Sequence, residues 1–178
     1  MKKLINVPNI LTIVRMALVP VFIALALTGA NTGAVIVFIA ASLTDWLDGY
    51  LARKNNEITN FGKFMDPLAD KMLVTSALVC FVGLGALPAW AAMIVIGRDL
   101  AVDGLRMVAA SRSIVMAAGW SGKVKTAVTM VLIPVMLVFG EAGAGIFTVN
   151  NISALIIAAL NIISMVDYFK KNGKVILE

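Results

Sequence analysis

The sequence predicts an all-α membrane protein with six transmembrane helices and with both termini in the cytoplasm. Of its 178 residues, 61% are apolar and only 14% are charged, and the mean hydropathy is +0.97. A soluble domain carries about a quarter charged residues, and a helix needs roughly 20 apolar residues to cross a bilayer. The chain therefore has room for about six spans and short connectors, and we expect residues 1–178 to form a single membrane domain.

Six apolar runs place these spans along the chain. Glycine, proline and polar or charged residues separate the runs. In chain order the predicted spans are Pro8–Leu27, Thr32–Arg53, Phe64–Gly83, Pro88–Ala110, Lys123–Gly140 and Asn150–Phe169. Pro8 and Pro88 come at the first turn of a span, where a helix tolerates proline, whereas Pro20 and Pro134 lie inside spans and predict kinks.

The distribution of Lys and Arg predicts the orientation. Basic residues occur before the first span, around the second and fourth connectors and after the last span, whereas the connectors at 29–31, 85–87 and 141–149 contain none. This alternation is the positive-inside pattern, and it predicts cytoplasmic termini. The net charge of +5 therefore indicates topology and attraction to anionic lipid headgroups rather than nucleic-acid binding.

Residue types that are rare in the chain exclude several kinds of chemistry. There is no histidine and only one cysteine, Cys80. These counts exclude an intrachain disulfide, a multi-cysteine metal site, imidazole-ligated zinc and a Ser-His-Asp triad. The chemistry must therefore use carboxylates, Arg, Lys, hydroxyl groups and the backbone.

Four aspartates are placed where lipid disfavours charge. Asp45 and Asp48 lie near the cytoplasmic end of the second span, and Asp66 and Asp70 lie near the start of the third. Spacings of three and four residues put each pair on one helical face, and antiparallel neighbouring spans would bring all four together. Ionisable residues inside membranes are costly and indicate function. The alternative is a set of buried ion pairs with nearby Arg and Lys residues that only fixes helix packing.

Carboxylates gathered in a desolvated site need protons or cations among them. An all-oxygen cluster favours a hard cation such as Mg²⁺, Mn²⁺ or Ca²⁺, and Mg²⁺ commonly adds substrate phosphate oxygens to a few protein carboxylates. Gly49 allows close approach to the backbone, and Arg53 offers a bidentate fork for phosphate. Arg15, within the first span, needs an anionic partner in the protein or the lipid.

The aspartates belong to a longer pattern, which runs from Asp45 to Asp70. It is D-x-x-D-G-x-x-A-R-x8-G-x3-D-x3-D, and every fixed position is present. The chain therefore resembles the CDP-alcohol phosphatidyltransferases, and the six-span topology expected of that family extends the resemblance over essentially the whole chain.

The resemblance implies a reaction and a metal site. Members of the family transfer a phosphatidyl group from a CDP-linked lipid to an alcohol and release CMP. Two divalent cations, Mg²⁺ or Mn²⁺, are implied, with Asp45 and Asp66 bridging them. Asp48 would complete the first metal site, and Asp70 would bind the second cation and act as the general base.

The resemblance also implies residues that bind the CDP-lipid. Five positions are implied to hold the nucleotide and its pyrophosphate. They are Asn9, Thr12, Gly49, Arg53 and Thr59. For Asn9 and Thr12 a helix start and a tolerated hydroxyl are the alternatives.

Cations in the C-terminal half suggest an acceptor that carries its own phosphate. The proposed acceptor-phosphate residues are Arg106, Arg112, Lys123 and Lys125. The stretches Gly122–Thr126 and Asp66–Lys71 resemble the phosphatidylglycerophosphate synthase subgroup, which implies CDP-diacylglycerol and sn-glycerol 3-phosphate as substrates. The alternative for each cation is topology setting, with its charged end reaching the headgroups.

Other functions remain open at this stage. Within the family, the chain could be a cardiolipin, phosphatidylserine or phosphatidylinositol-phosphate synthase. Outside it, a membrane prenyltransferase or a small non-enzymatic transporter subunit would also place acids in spans. The family leads us to expect a homodimer in contact with membrane lipids, in a bacterial cytoplasmic membrane, with the active site facing the cytoplasm.

Overall fold

The computed structural model describes residues 6–54, 60–112, 114, 116, 119–143 and 147–173. Within these residues the side chains of 46–54, 60, 63 and 64 are not described. All regular structure in the described part is helical. The helices are α1 (Val7–Leu27), α2 (Asn31–Lys54), α3 (Asn60–Gly83), α4 (Ala89–Ser111), α5 (Trp120–Phe139) and α6 (Val149–Asn172). The predicted all-α class is confirmed.

Each predicted span corresponds to one helix, and the larger differences lie at helix ends that carry polar residues. Helix α3 begins at Asn60 rather than Phe64, α5 begins at Trp120 rather than Lys123, and α6 continues to Asn172. Apolar runs locate the part of a helix that suits lipid, whereas polar residues continue the same helix beyond it. Pro67 lies inside α3, as Pro20 and Pro134 lie inside α1 and α5.

Local capping explains where the first helix begins and ends. The Asn6 side chain accepts a hydrogen bond from the Asn9 backbone N–H at 3.0 Å, and Pro8 occupies the first turn as predicted. This satisfies one of the free N–H groups at the helix start. At the other end Gly29 has φ of +76°, which glycine adopts without steric cost, and the chain turns directly into α2.

Three helices are long and apolar enough to cross a membrane. They are α1, α5 and α6, and α2 contributes a shorter apolar stretch, Asn31–Asp45. Helices α2, α3 and α4 each carry four Asp, Glu, Lys or Arg residues, which lowers their hydropathy. By these helices the chain is an integral membrane protein, whereas the count of six spans and the cytoplasmic termini stay predictions.

The chain forms two compact units, Met1–Leu84 and Gly85–Glu178. In the first unit α1 packs against both α2 and α3, and the Phe22 and Phe38 rings lie 5.7 Å apart at a tilted angle. In the second unit α6 packs against both α4 and α5. One helix therefore organises each unit. That residues 1–178 form one domain stays a prediction.

Small residues allow the helices of the first unit to approach closely. Ala34, Ala41, Ala69 and Ala77 are completely buried. Small side chains at helix interfaces let backbones come together in membranes, where packing rather than water exclusion drives association. The close approach brings polar side chains of α1 within hydrogen-bonding distance of α2 and α3.

Candidate active site

Arg15 of α1 joins two of the predicted aspartates. Its Nη1 atom lies 2.6 Å from Oδ1 of Asp70 on α3 and 3.2 Å from Oδ1 of Asp45 on α2. The Arg15 side chain is completely buried, whereas both carboxylates are about one-third exposed. Two acidic side chains from different helices therefore share one guanidinium nitrogen.

Thr12 connects α1 to the third aspartate. Its buried hydroxyl donates to Oδ1 of Asp66 at 2.7 Å and lies 3.1 Å from the Pro8 carbonyl oxygen. Thr12 and Arg15 are three residues apart on α1, and Asp66 and Asp70 are four apart on α3. Both spacings put the two residues on one face. The two helices therefore meet through two matched polar contacts, one turn apart.

Three carboxyl groups gather at one buried guanidinium and one buried hydroxyl. Asp45 and Asp70 pair with Arg15, and Asp66 accepts from Thr12. A buried guanidinium is stable only when its charge is compensated, and hydrogen bonds between charged partners are short and strong. Because the carboxylates are not fully buried, they remain accessible to a further cation or to a substrate.

The donor atoms fit a hard divalent cation. Asp45, Asp66 and Asp70 offer only carboxylate oxygens, which suit Mg²⁺ or Mn²⁺. In the part of the chain whose side chains are described, no three acidic, cysteine or histidine residues converge closely enough to hold a metal ion by themselves. The fourth predicted ligand, Asp48, lies outside that part. Three of the four predicted metal ligands thus gather around the same α1 face.

Only some of the other predicted CDP-lipid residues lie in the described part of the chain. Asn9 is buried in the first turn of α1, on the helix that carries Thr12. The side chains of Gly49 and Arg53, and all of Thr59, fall outside the described residues. Thr12 contacts a carboxylate that is itself a predicted metal ligand, so its described contact positions Asp66.

Sequence reasoning did not predict the partner of the aspartates. The alternative with buried ion pairs invoked nearby Arg and Lys residues, and among the described contacts Arg15 pairs with Asp45 and Asp70. The signal was present, because an arginine in an apolar span needs an anionic partner. What the sequence lacked was the face of α1 that packs against α2 and α3.

A second polar cluster lies inside the second unit. Oδ1 of Asp99 accepts from Arg98 Nη1 at 2.9 Å and from Lys125 Nζ at 2.7 Å, and Arg98 Nη2 donates to Ser164 Oγ at 2.8 Å. Arg98 and Lys125 are each only 8% exposed. A Cβ at Gly122 would lie 3.4 Å from Arg98 Nη2, so glycine leaves room for the guanidinium.

This cluster has the opposite charge balance. Two buried cations share one carboxylate, and Nε of Arg98 has no hydrogen-bond partner among the described residues. Buried polar atoms without a partner are rare and call for an explanation. The arrangement is suited to an anionic ligand, which would supply both charge and an acceptor.

The four predicted acceptor-phosphate residues lie in different environments. Lys125 is buried, whereas Arg106, Arg112 and Lys123 are exposed. Arg106 lies 5.5 Å over the Tyr168 ring and its Nε donates to the Tyr168 hydroxyl at 3.1 Å. The structure thus puts Lys125 with Arg98, a residue outside the predicted set, and places Lys123 on the exposed side of α5.

Comparisons with known proteins agree on one family. The family model for CDP-alcohol phosphatidyltransferases matches residues 5–166. A CDP-diacylglycerol–glycerol-3-phosphate 3-phosphatidyltransferase of Bacillus subtilis is 38% identical, and the match covers 94% of this chain and 95% of the relative. A probable phosphatidylglycerophosphate synthase of Mycobacterium tuberculosis is 37% identical, over 93% of this chain and 81% of the relative. A Rickettsia felis protein with the same name as the Bacillus protein is 35% identical, over 95% and 96%.

Replacing Thr12 by valine should destabilise the protein without changing its packing volume. The substitution removes the hydroxyl that donates to Asp66. A hydrogen bond to a charged group contributes about 1.5–3 kcal/mol, and we expect a loss of about 1.5 kcal/mol because Asp66 is only partly buried. Thermal unfolding in detergent measures the change. The matched control is Thr126→Val, whose exposed hydroxyl donates only to the carbonyl of Gly122 in its own helix. Equal stability of the two variants would show that the Thr12–Asp66 contact contributes little.

Proposed function

The chain belongs to the CDP-alcohol phosphatidyltransferase family, and from this premise we propose that it transfers the phosphatidyl group of CDP-diacylglycerol to sn-glycerol 3-phosphate. CMP is released and phosphatidylglycerophosphate is formed. The chain is an enzyme of phospholipid synthesis. The observation that carries the proposal is the convergence of Asp45, Asp66 and Asp70 on Arg15 and Thr12. The names of the relatives support the two substrates.

Members of the family generally depend on divalent cations, and the carboxylate set suits them. We propose two, Mg²⁺ or Mn²⁺, held by Asp45, Asp48, Asp66 and Asp70. When bound, such cations would neutralise the pyrophosphate and the charge that develops on departing CMP. The gathering of three of these carboxyl groups beside Arg15 and Thr12 supports this assignment.

The proposed chemistry of the protein groups centres on Asp70. Its carboxylate accepts the proton of the acceptor hydroxyl, and the hydroxyl oxygen forms a bond to the phosphorus on the lipid side of the pyrophosphate. The bond from this phosphorus to the bridging oxygen breaks, and CMP leaves with the electron pair. Asp70 then returns its proton to water. General-base assistance of this kind contributes about 10²–10⁴-fold to a rate.

Binding of the CDP-lipid is assigned to the motif residues. We propose that Gly49, Arg53 and Thr59 contact the nucleotide and the pyrophosphate, with Asn9 beside them on α1. The burial of Asn9 within one turn of Thr12 supports a place close to the carboxylates. Thr12 contributes by holding Asp66.

The acceptor's phosphate is assigned to the cations of the second unit. From sequence we proposed Arg106, Arg112, Lys123 and Lys125, and to these we add Arg98. Two buried cations on one carboxylate, together with the unpartnered Nε atom, support Arg98 and Lys125 as the principal contacts. The exposed residues of the set would then attract the anion from solution.

Location and assembly follow from the same family. We propose that the enzyme lies in a bacterial cytoplasmic membrane as a homodimer and that its active site faces the cytoplasm. The basic connectors support the orientation. On α2 the small residue Ala40 is exposed beside buried Ala41, which supports close helix contact between copies. Labelling of a Lys171→Cys variant with an impermeant reagent tests the orientation of the C-terminal end, and cross-linking in membranes tests the homodimer.

Turnover with a panel of acceptors tests the reaction. Purified protein with CDP-diacylglycerol and Mg²⁺ should release CMP with glycerol 3-phosphate, and chelation should abolish release reversibly. Free glycerol, serine or inositol phosphate serving as well as glycerol 3-phosphate would reject the acceptor.

Asp70→Asn should lower the rate about 10²-fold or more while leaving CDP-lipid binding largely intact. Asp167→Asn is the control, because Asp167 pairs with Ser121 and Lys171. A rate above about a tenth of wild type in Asp70→Asn would reject the general base.

Neutralising the buried cations tests the acceptor site. Arg98→Gln and Lys125→Gln should each raise the KM for glycerol 3-phosphate about ten- to hundredfold, because a hydrogen bond to a charged group contributes about 1.5–3 kcal/mol. The KM for CDP-diacylglycerol should change little. Lys123→Gln, two residues from Lys125 but exposed, is the comparison, and Arg98→Lys should recover part of the effect. A large effect in Lys123→Gln with none in Arg98→Gln would instead locate the phosphate at the exposed cations.

A further inference from the structure

Arg15 contacts two of the carboxylates that would hold a divalent cation. A single nitrogen, Nη1, reaches Oδ1 of Asp45 and Oδ1 of Asp70, at 3.2 Å and 2.6 Å. Because these aspartates come from two helices, one positive group already bridges them. We propose that Arg15 is the resident counter-ion of the aspartate cluster: it holds Asp45 and Asp70 together when no divalent cation is bound and competes with the cation for them. This inference rests on the proposed function.

The surroundings of Arg15 fix its position. The side chain is completely buried. Its Nε donates to Thr44 Oγ1 at 3.4 Å, while the Thr44 hydroxyl donates to the Ala41 carbonyl at 2.7 Å. Thr44 precedes Asp45 directly. The guanidinium is therefore held at the same turn of α2 that presents the carboxylate.

Competition follows from geometry and charge. A cation that binds Oδ1 of Asp45 and of Asp70 must share those atoms with Nη1 or displace it. A fixed positive charge also repels a divalent cation a few ångströms away, and the repulsion is strong where water is partly excluded. By linkage, the effect is mutual: Arg15 lowers the affinity for the cation, and the cation loosens the pairing of Arg15.

A purely structural arginine would behave differently. If Arg15 only linked α1 to α2 and α3, its loss would destabilise the protein equally with and without a divalent cation. A resident counter-ion, by contrast, can be replaced by the cation, so its loss destabilises the protein mainly when the cation is absent. Arg15 is in either case a positioning residue, and the dependence on the cation separates the two roles.

The experiment measures Mn²⁺ affinity and thermal stability without lipid substrate. Wild type, Arg15→Gln, Arg15→Lys and the control Lys171→Gln are compared, because Lys171 is an exposed cation in an ion pair with Asp167. Arg15→Gln should bind Mn²⁺ about tenfold more tightly or better. Its Tm should be lower than that of wild type without metal, and saturating Mn²⁺ should raise it more. Arg15→Lys keeps the charge but loses the Nε contact with Thr44 that holds it beside Asp45, so its Mn²⁺ affinity should lie between those of wild type and Arg15→Gln.

Several outcomes would overturn the inference. Unchanged or weaker Mn²⁺ binding by Arg15→Gln, or an equal Mn²⁺-induced rise in Tm in that variant and wild type, rejects the competition. If Arg15→Gln does not fold, Arg15→Lys is tested in its place. It should lose stability without metal, because an ammonium lacks the Nε–H that donates to Thr44, and Mn²⁺ should restore more of its loss than of the loss in Lys171→Gln. Equal losses with and without Mn²⁺ reject it.

The same measurements distinguish a failure of the Arg15 role from a failure of the proposed function. Wild type that binds Mn²⁺ and releases CMP, alongside an Arg15→Gln variant of unchanged Mn²⁺ affinity, rejects the role of Arg15 alone. Wild type that binds no Mn²⁺ and turns over fully in chelator rejects the metal chemistry and the Arg15 inference together.

Discussion

The burial of Arg15 against aspartates from two helices is the interaction on which the structure of the first unit depends. Asp45 and Asp70 come from different helices, and the buried guanidinium of Arg15 compensates both. This pairing requires α1 to pack against α2 and α3 together, and the completely buried alanines permit that approach. Thr12 adds a second contact one turn away, to Asp66. The contacts that pack the helices of the first unit therefore also assemble its acidic site.

The second unit buries cations and compensates them with an aspartate and hydrogen bonds. Its central helix, α6, supplies Ser164 to Arg98, and Arg98 and Lys125 share the carboxylate of Asp99. Here the buried excess is positive and one guanidinium nitrogen lacks a described partner. One unit thus presents groups suited to cations, and the other presents groups suited to an anion.

The fold was predictable because a bilayer demands long apolar runs, and each predicted run became one helix. Helix ends were less accurate, since polar residues such as Asn60 extend a helix without adding hydropathy. The aspartate cluster was predictable from its helical spacing. The roles of Arg15 and Arg98 depend on which helix faces meet, which one sequence does not reveal. Lys123 and Lys125 were grouped although positions two apart do not share a helix face.

The fate of the acceptor oxygen tests the central claim most directly. Glycerol 3-phosphate carrying ¹⁸O in its C1 hydroxyl is incubated with CDP-diacylglycerol and Mg²⁺, and both products are analysed by mass spectrometry. Attack on the lipid-side phosphorus predicts ¹⁸O in the phosphodiester of phosphatidylglycerophosphate and unlabelled CMP in equal amount. Release of phosphatidate, with the label in a cytidylyl product, would contradict the account, because the oxygen would then have attacked the other phosphorus.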